Sequence, residues 1–319
     1  MTKTPTILCP VDFSDASRGA IRYAAAIAEH FKARLVILTV EDPLLTEAFD
    51  LGTGVVWDPE ETRKELRKFA ARVIDPAAGK PLRIDYEVAV GKPAREIIRV
   101  SRTTPADLVV MSTHGLTGVR KLFFGSTTER VLRETTVPVL ATPPTDPGPI
   151  ALQDAKLLLR RMLVPVDLSK QSLQQVQVAR AISETLHLPF IAVSVVEPVR
   201  SPLAAKLPMS HIDLERKTRA EDGLEELLAT VPRQLHPESL VVFGDVAEEI
   251  AKLARDRQAG LIVIGLHGSP MLGPRMGSVT YRVLCLAPAL VLAIPPPIAV
   301  GESEDAGRAQ EHPAPVVFK

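Results

Sequence analysis

Thr6-Ile7-Leu8-Cys9-Pro10-Val11-Asp12, followed by Phe13-Ser14, returns as Arg161-Met162-Leu163-Val164-Pro165-Val166-Asp167, followed by Leu168-Ser169. The short, nearly continuous apolar run ending in a carboxylate suits a strand buried on both faces, as in a parallel sheet. The period then changes. From Asp12 to His30, Ile21, Ala24, Ala28 and Phe31 fall on one helical face, with Ser14 or Asp15 available as N-cap; Val176, Ala179, Ser183 and Leu186 repeat the stripe.

Two more landmarks recur in the same order. Val109-Val110-Met111-Ser112-Thr113-His114-Gly115 returns as Ile262-Val263-Ile264-Gly265-Leu266-His267-Gly268, and Gly125-Ser126-Thr127-Thr128-Glu129-Arg130-Val131 returns as Gly277-Ser278-Val279-Thr280-Tyr281-Arg282-Val283. A period this long marks a duplicated domain rather than a solenoid. The 319 residues suit two domains, each able to bury its own core.

Within the first copy the reading continues as strand Leu35–Val40, helix Pro59–Ile74 and strand Leu82–Val90. Helix Pro93–Ser101, strand Leu108–Met111, helix Ser126–Arg133 and strand Val137–Ala141 follow. The second copy matches it element by element. Strands alternating with crossover helices imply two tandem, doubly wound α/β units, each with a parallel five-stranded sheet. The expected divisions are a first domain over 1–142, a Pro-rich linker over 143–160, a second domain over 161–297 and a disordered tail over 298–319. The irregular stretch 42–58 reads either as a lid or as a variable surface loop.

Lys plus Arg and Asp plus Glu both total 38, so no net field favours nucleic acid or an anionic membrane. The two cysteines, Cys9 and Cys285, read as small buried hydrophobes in a reducing compartment. No Asn is present to carry a glycan, the first residues lack the apolar core of a signal peptide, and prolines break the late apolar stretch 287–300. The expectation is a soluble cytoplasmic protein.

Ligands of open α/β sheets bind beyond the carboxyl ends of the strands, at the point where strand order reverses. Asp12, Val40 and the loop from Ser112 to Ser126 converge there. Gly115 and Gly118 would let backbone approach a phosphate, Gly125-Ser126 opens a helix with outward N–H groups, and Arg120 and Lys121 are available countercharges. The same residues admit a second reading, in which Ser126 and Glu129 form a capping box that occupies those N–H groups. Neither copy has a Walker A or a Gly-x-Gly-x-x-Gly sequence. His114 and His267 fit loop packing or a phosphate hydrogen bond, since no nucleophile, base and orienting partner accompany them.

The Pro-Val-Asp-x-Ser opening, Gly91-Lys92-Pro93-Ala94-Arg95-Glu96-Ile97, the Ser-Thr-His-Gly loop and Gly-Ser-Thr-Thr-Glu-Arg-Val with its following Val-Pro-Val-Leu together resemble the universal stress protein family in its tandem form. The resemblance spans Thr6 to Pro296. It implies a Rossmann-like fold of the adenine nucleotide alpha hydrolase-like kind, with the two copies packed through their last strands, Val137–Ala141 and Ala289–Ala293. It also implies ATP as the ligand, with Mg2+ accompanying the phosphates. In the first copy the implied nucleotide site is Pro10, Val11, Asp12, Val40, Met111, Ser112, His114, Gly115, Gly118, Gly125, Ser126 and Thr127. A second site would use Asp167, Gly265, His267, Gly268, Gly277 and Ser278.

ATP-binding members of the family carry Gly, two residues, Gly, nine residues, Gly, then Ser or Thr. The first copy keeps the nine-residue interval between Gly115 and Gly125 but has Ser112 for the first glycine. The second keeps Gly265 but has eight residues between Gly268 and Gly277. One residue fewer moves facing amides by about 3 Å, beyond the reach of a hydrogen bond, so the first copy is the better ATP site. The leading expectation is a regulatory nucleotide-binding protein, an intramolecular pseudo-dimer that could also form a homodimer. The alternatives are a slow ATPase or self-phosphorylating enzyme, and a nucleotide-free interaction module.

Overall fold

The computed structural model describes residues 4–44, 46–47, 52, 56–74, 82–113, 125–144, 148, 159–198, 211–266 and 276–296. The first half runs β1 (Thr6–Val11), α1 (Asp15–Phe31), β2 (Arg34–Glu41), α2 (Pro59–Ala71), β3 (Arg83–Val90), α3 (Pro93–Thr103), β4 (Leu108–Ser112), α4 (Ser126–Glu134) and β5 (Val139–Thr142). The second repeats it as β6 (Met162–Pro165), α5 (Lys170–Leu186), β7 (Phe190–Val196), α6 (His211–Leu228), β8 (Glu238–Phe243), α7 (Val246–Asp256), β9 (Leu261–Gly265), α8 (Ser278–Leu286) and β10 (Leu290–Ile294), adding a 3-10 turn at Arg233–Leu235. The linker core 149–158, the tail 297–319, residues 45, 48–51 and 53–55 of the candidate lid Asp42–Asp58, and 199–210 of its counterpart lie outside the described residues.

Local chemistry explains where the elements start and stop. Ser14 caps α1 by accepting from the Ser17 N–H, and Lys32 ends the helix in the left-handed region at φ 51°. His187 ends α5 the same way at φ 56°. Pro59 and Pro93 open α2 and α3, where a missing N–H costs nothing. The last strand of the first half begins at Val139 rather than Val137. Thr135 Oγ1 donates to the Val137 carbonyl and accepts its N–H, closing a turn that uses both groups a ladder would need.

Each half orders its strands 3-2-1-4-5, and the halves join into one ten-stranded sheet, β3-β2-β1-β4-β5-β10-β9-β6-β7-β8. All pairings are parallel except the seam, where β5 meets β10 antiparallel with Leu140 opposite Leu292, flanked by Val139–Ala293 and Ala141–Val291. The expectation of packing through the last strands is met, and the apolar edges cover each other. Alternation along the strands divides the core. Ile7, Cys9, Leu35 and Ile37 face α1 and α2, while Leu8, Val36 and Leu38 face α3 and α4. The second half places α5 and α6 on the first face and α7 and α8 on the other. Both apolar layers run unbroken across the seam.

Candidate functional site

The strand order creates the crevice. β1 and β4 pair only at Ile7–Leu108 and Leu8–Val109 before they part, and β6 and β9 pair only at Met162–Leu261 and Leu163–Ile262. Beyond those pairs the carboxyl ends diverge, opening a gap at the switch point of each half.

Asp12 forms one wall of the first gap. Its Oδ1 accepts from Ser14 N (3.1 Å), Ser14 Oγ (2.5 Å) and Ser17 Oγ (2.6 Å), while its own N–H donates to Ser17 Oγ. The turn drives the intervening Phe13 to φ 61°, and Leu168 repeats this at φ 60°. A non-glycine residue in that region costs about 1–2 kcal/mol, so the chain holds the same unfavourable geometry at both crevices. Phe13 rests edge-on against Phe69 at 5.3 Å, and Arg18 lies over the Phe69 ring. Asp167 accepts from Ser169 N and Ser172 Oγ, both at 2.9 Å.

The opposite wall is a helix start tied to the neighbouring strand. Gly125 N–H donates to the Thr113 carbonyl (3.1 Å), Thr128 Oγ1 donates to the Ser112 carbonyl (2.9 Å), and Thr113 N–H reaches the Thr142 carbonyl. Thr280 Oγ1 repeats the second tie to the Gly265 carbonyl at 3.1 Å. These bonds hold Ser112 beside Gly125 whatever the intervening loop does.

The capping-box reading is overturned here. Gly125, not Ser126, is the N-cap, with no side chain closing it, and Glu129 N–H donates to the Gly125 carbonyl. The helix therefore starts one residue too early for the Ser126 hydroxyl to reach back. The Glu129 carboxylate turns along the helix to Arg133 at 2.5 Å. Among the described residues, the N–H groups of Ser126, Thr127 and Thr128 find no acceptor. Three unpaired donors at the positive end of a helix dipole favour an anion.

The second half shows what such walls enclose. A cavity of about 250 Å³ is lined by Pro165, Val166, Asp167, Val195, Ile264 and the helix start Gly277–Thr280, with Val193, Val246, Ile250 and Gln175 completing it. By the duplication, these answer to Pro10, Val11, Asp12, Val40, Met111 and Gly125–Thr128 in the first half. Of the expected second site, Asp167, Gly277 and Ser278 line the cavity, and Gly265 supplies the carbonyl that anchors Thr280. His114, Gly115, Gly118, Arg120, Lys121, His267 and Gly268 lie outside the described residues.

Gln175, Val193, Val246, Ile250 and Thr280 were missed from sequence. Val246 and Ile250 sit in the second version of the Gly-Lys-Pro-Ala-Arg-Glu-Ile run, where α7 replaces Pro93 and Ile97 of α3. Gln175 stands where Ala20 stands in the first half, a polar residue beside the inward Val176. A position-by-position comparison of the two apolar stripes would have exposed it.

The crevice rims differ in charge. Lys92 caps α3 without a side-chain bond, whereas Asp245 caps α7 by accepting from Glu248 N–H and pairs with Arg282 of α8 at 2.6 Å. The hydrogen bond from Arg282 holds the Asp245 carboxyl below the usual carboxylate range. Among the described residues no group of three or more His, Cys, Asp or Glu could hold a metal ion, and no helix is long and apolar enough to cross a membrane.

The model of the universal stress protein family matches residues 3–143 and again 159–295. A universal stress protein of Methanocaldococcus jannaschii is 32% identical over 136 residues, covering 42% of this chain and 79% of its own length. One from Bacillus subtilis is 30% identical over 142 residues, covering 42% of this chain and 95% of its own. Over the whole length, the crystal structure of a universal stress protein from Archaeoglobus fulgidus aligns with a TM-score of 0.59 at 18% identity, covering 92% of this chain and 99% of that one, a likeness of fold. The repeated Asp-x-Ser turn, the strand-tied helix starts and both family matches agree: this chain belongs to the universal stress protein family, with two copies of its domain joined in one sheet.

Proposed function

We propose that the protein is a cytoplasmic stress-response regulator that binds ATP or a related adenine nucleotide, chiefly in the crevice of its first half. The observation that carries this reading is that, among the described residues, the N–H groups of Ser126, Thr127 and Thr128 find no acceptor, at a helix start across the crevice from Asp12. An anionic phosphate suits the helix start, sugar hydroxyls suit the carboxylate, and Val40 and Met111 offer apolar surface to a base. The nine-residue interval between Gly115 and Gly125 leaves backbone enough to wrap a phosphate chain. A divalent cation would arrive with the phosphates, because the carboxylates described here do not cluster to hold one.

The test is equilibrium binding of labelled ATP to the full chain and to Gly125→Val and Gly277→Val variants. Gly125 has φ −59° and ψ 131°, which valine adopts readily, so the fold should survive while the new side chain blocks the helix start. The expected result is one tight site per chain, lost in Gly125→Val and kept in Gly277→Val. The opposite pattern, or ATP bound equally by both variants, overturns the assignment. Single-turnover product analysis with the same samples should return intact ATP; released phosphate or labelled protein would establish the enzymatic alternative.

A further inference from the structure

The ten-stranded sheet ends in two unlike edges, β3 and β8, and among the described residues no strand pairs with the outer side of either. Alternate N–H and C=O groups of an edge strand point outward and fit another extended strand. β3 is guarded, since Arg83, Asp85 and Glu87 place charges at alternate positions along it. β8 lacks this guard. Counting back from Gly91 and Gly244, Glu87 is replaced by Leu240, and Ser239-Leu240-Val241-Val242-Phe243 carries no charge, proline or glycine, with Leu240 to Phe243 half-buried. Such a run is strand-prone and open to pairing. The charges at the two ends of β8 indicate what pairs with it. At its start, Arg161 and Arg257 both reach the single carboxylate of Glu238, at 3.9 and 2.9 Å. At its end, Asp245 and Glu248 share the single guanidinium of Arg282, at 2.6 and 3.4 Å. One end therefore holds a surplus cation and the other a surplus anion. β3 differs: Arg83 and the Arg34–Asp85 pair stand at its start, and exposed Lys92 and Arg95 lie just past its end, so both ends are basic.

We propose that β8 is the docking edge for a second copy of this chain, the two β8 strands pairing antiparallel about a twofold axis through Val241. In that arrangement the basic start of each strand meets the acidic end of the other, and the match occurs twice. A parallel partner would set like ends together, and β3 paired with itself would bring basic ends against basic ends. Leu240 lies opposite Val242 of the second copy, and Ser239 opposite Phe243 of the second copy. Opposed residues keep to the same face of the sheet, so the layer that takes Val241 and the layer that takes Leu240 and Val242 both continue from one copy into the next. The seam inside the chain already uses this geometry, with apolar β5 and β10 paired antiparallel and Leu140 opposite Leu292. The backbone supplies the bonds, and the end charges set the direction and the choice of partner.

Sedimentation velocity on the full chain over a concentration series should show a monomer–dimer equilibrium that weakens as salt rises, because the end charges are exposed. Leu240→Glu gives β8 the residue that β3 carries at the equivalent place; it should leave the melting temperature nearly unchanged and remove the dimer. Arg257→Glu and Glu248→Arg test the charges. Each variant alone opposes like charges at both ends of the pair and should weaken association about tenfold. Mixed in equal amounts, the two variants should recover the wild-type affinity, since every end contact in the mixed pair joins opposite charges. Within one chain the two changed residues lie at opposite ends of β8, so recovery on mixing can arise only between copies. A wild type that stays monomeric at every concentration, a dimer indifferent to Leu240→Glu, single charge variants that associate as tightly as the wild type, or a mixture no tighter than its components overturns the proposal. Should Leu240→Glu fail to fold, the mixing experiment decides alone.

Discussion

Truncating Leu140 and Leu292 to alanine, singly and together, tests whether the two halves act as one cooperative unit. The two side chains lie directly opposite across the antiparallel seam and are 5% and 2% exposed. Each also packs within its own half, Leu140 beside Val110 of β4 and Leu292 beside Val263 of β9. A single Leu→Ala change at such a site costs about 2–5 kcal/mol, part of it for the cavity left behind. Residues directly opposite on neighbouring strands share that cavity, so the double variant should lose less than the sum of the singles. Cross-strand pairs contribute about 0.2–1 kcal/mol, and touching residues couple by about 0.5–3 kcal/mol. A coupling of about 1 kcal/mol is therefore expected. Urea denaturation followed by circular dichroism measures all four corners of the cycle. The wild type should unfold in one transition, because both apolar layers cross the seam. Leu140→Asp would bury an unpaired carboxylate there, and should split the transition and increase the radius of gyration seen by X-ray scattering. Additivity within about 0.3 kcal/mol, together with unchanged scattering for Leu140→Asp, would show that the seam carries no load.

Three further expectations follow from particular groups. Ser126→Ala should weaken ATP binding by only one hydrogen bond, about 0.5–1.5 kcal/mol, whereas Gly125→Val should remove it; calorimetry on the full chain distinguishes the two. The Asp245 carboxyl is held below its ordinary value by Arg282, so its stabilising contribution is present above the unfolded pKa of about 3.9 and is lost as pH falls through the lower folded value. Asp245→Ala should cost about 0.5–2 kcal/mol near neutrality through the lost cap, and Asp245→Asn less. Both should flatten the acid limb of a stability profile measured by thermal melts from pH 6 to pH 2. Burial raises the Cys9 thiol well above the usual range, so Cys9 should resist a thiol reagent at pH 8 in the folded protein and react once urea unfolds it. Labelling of Cys9 at the rate of a free thiol in the native state would contradict the burial.

Much of this architecture is legible in one dimension because its causes are local. The apolar run Ile7–Val11, the helical stripe from Ile21 to Phe31 and the proline starts of α2 and α3 each depend on residues a few positions apart, and the duplication states each pattern twice. The Asp-x-Ser turn and the Gly-Ser helix start are likewise short-range, so the carboxylate and the helix terminus were identifiable before their meeting was. Tertiary structure decided what depends on distant partners. The choice of Gly125 over Ser126 as N-cap turned on a bond from Gly125 N–H to the Thr113 carbonyl, and on Arg133 drawing Glu129 away. The antiparallel register of Leu140 on Leu292 joins positions in different halves and is fixed by the shape of two finished sheets. Gln175 reads in sequence as one polar residue beside an apolar stripe; its unpaired oxygen exists only because α5, β6 and β9 enclose it from three separate stretches of chain.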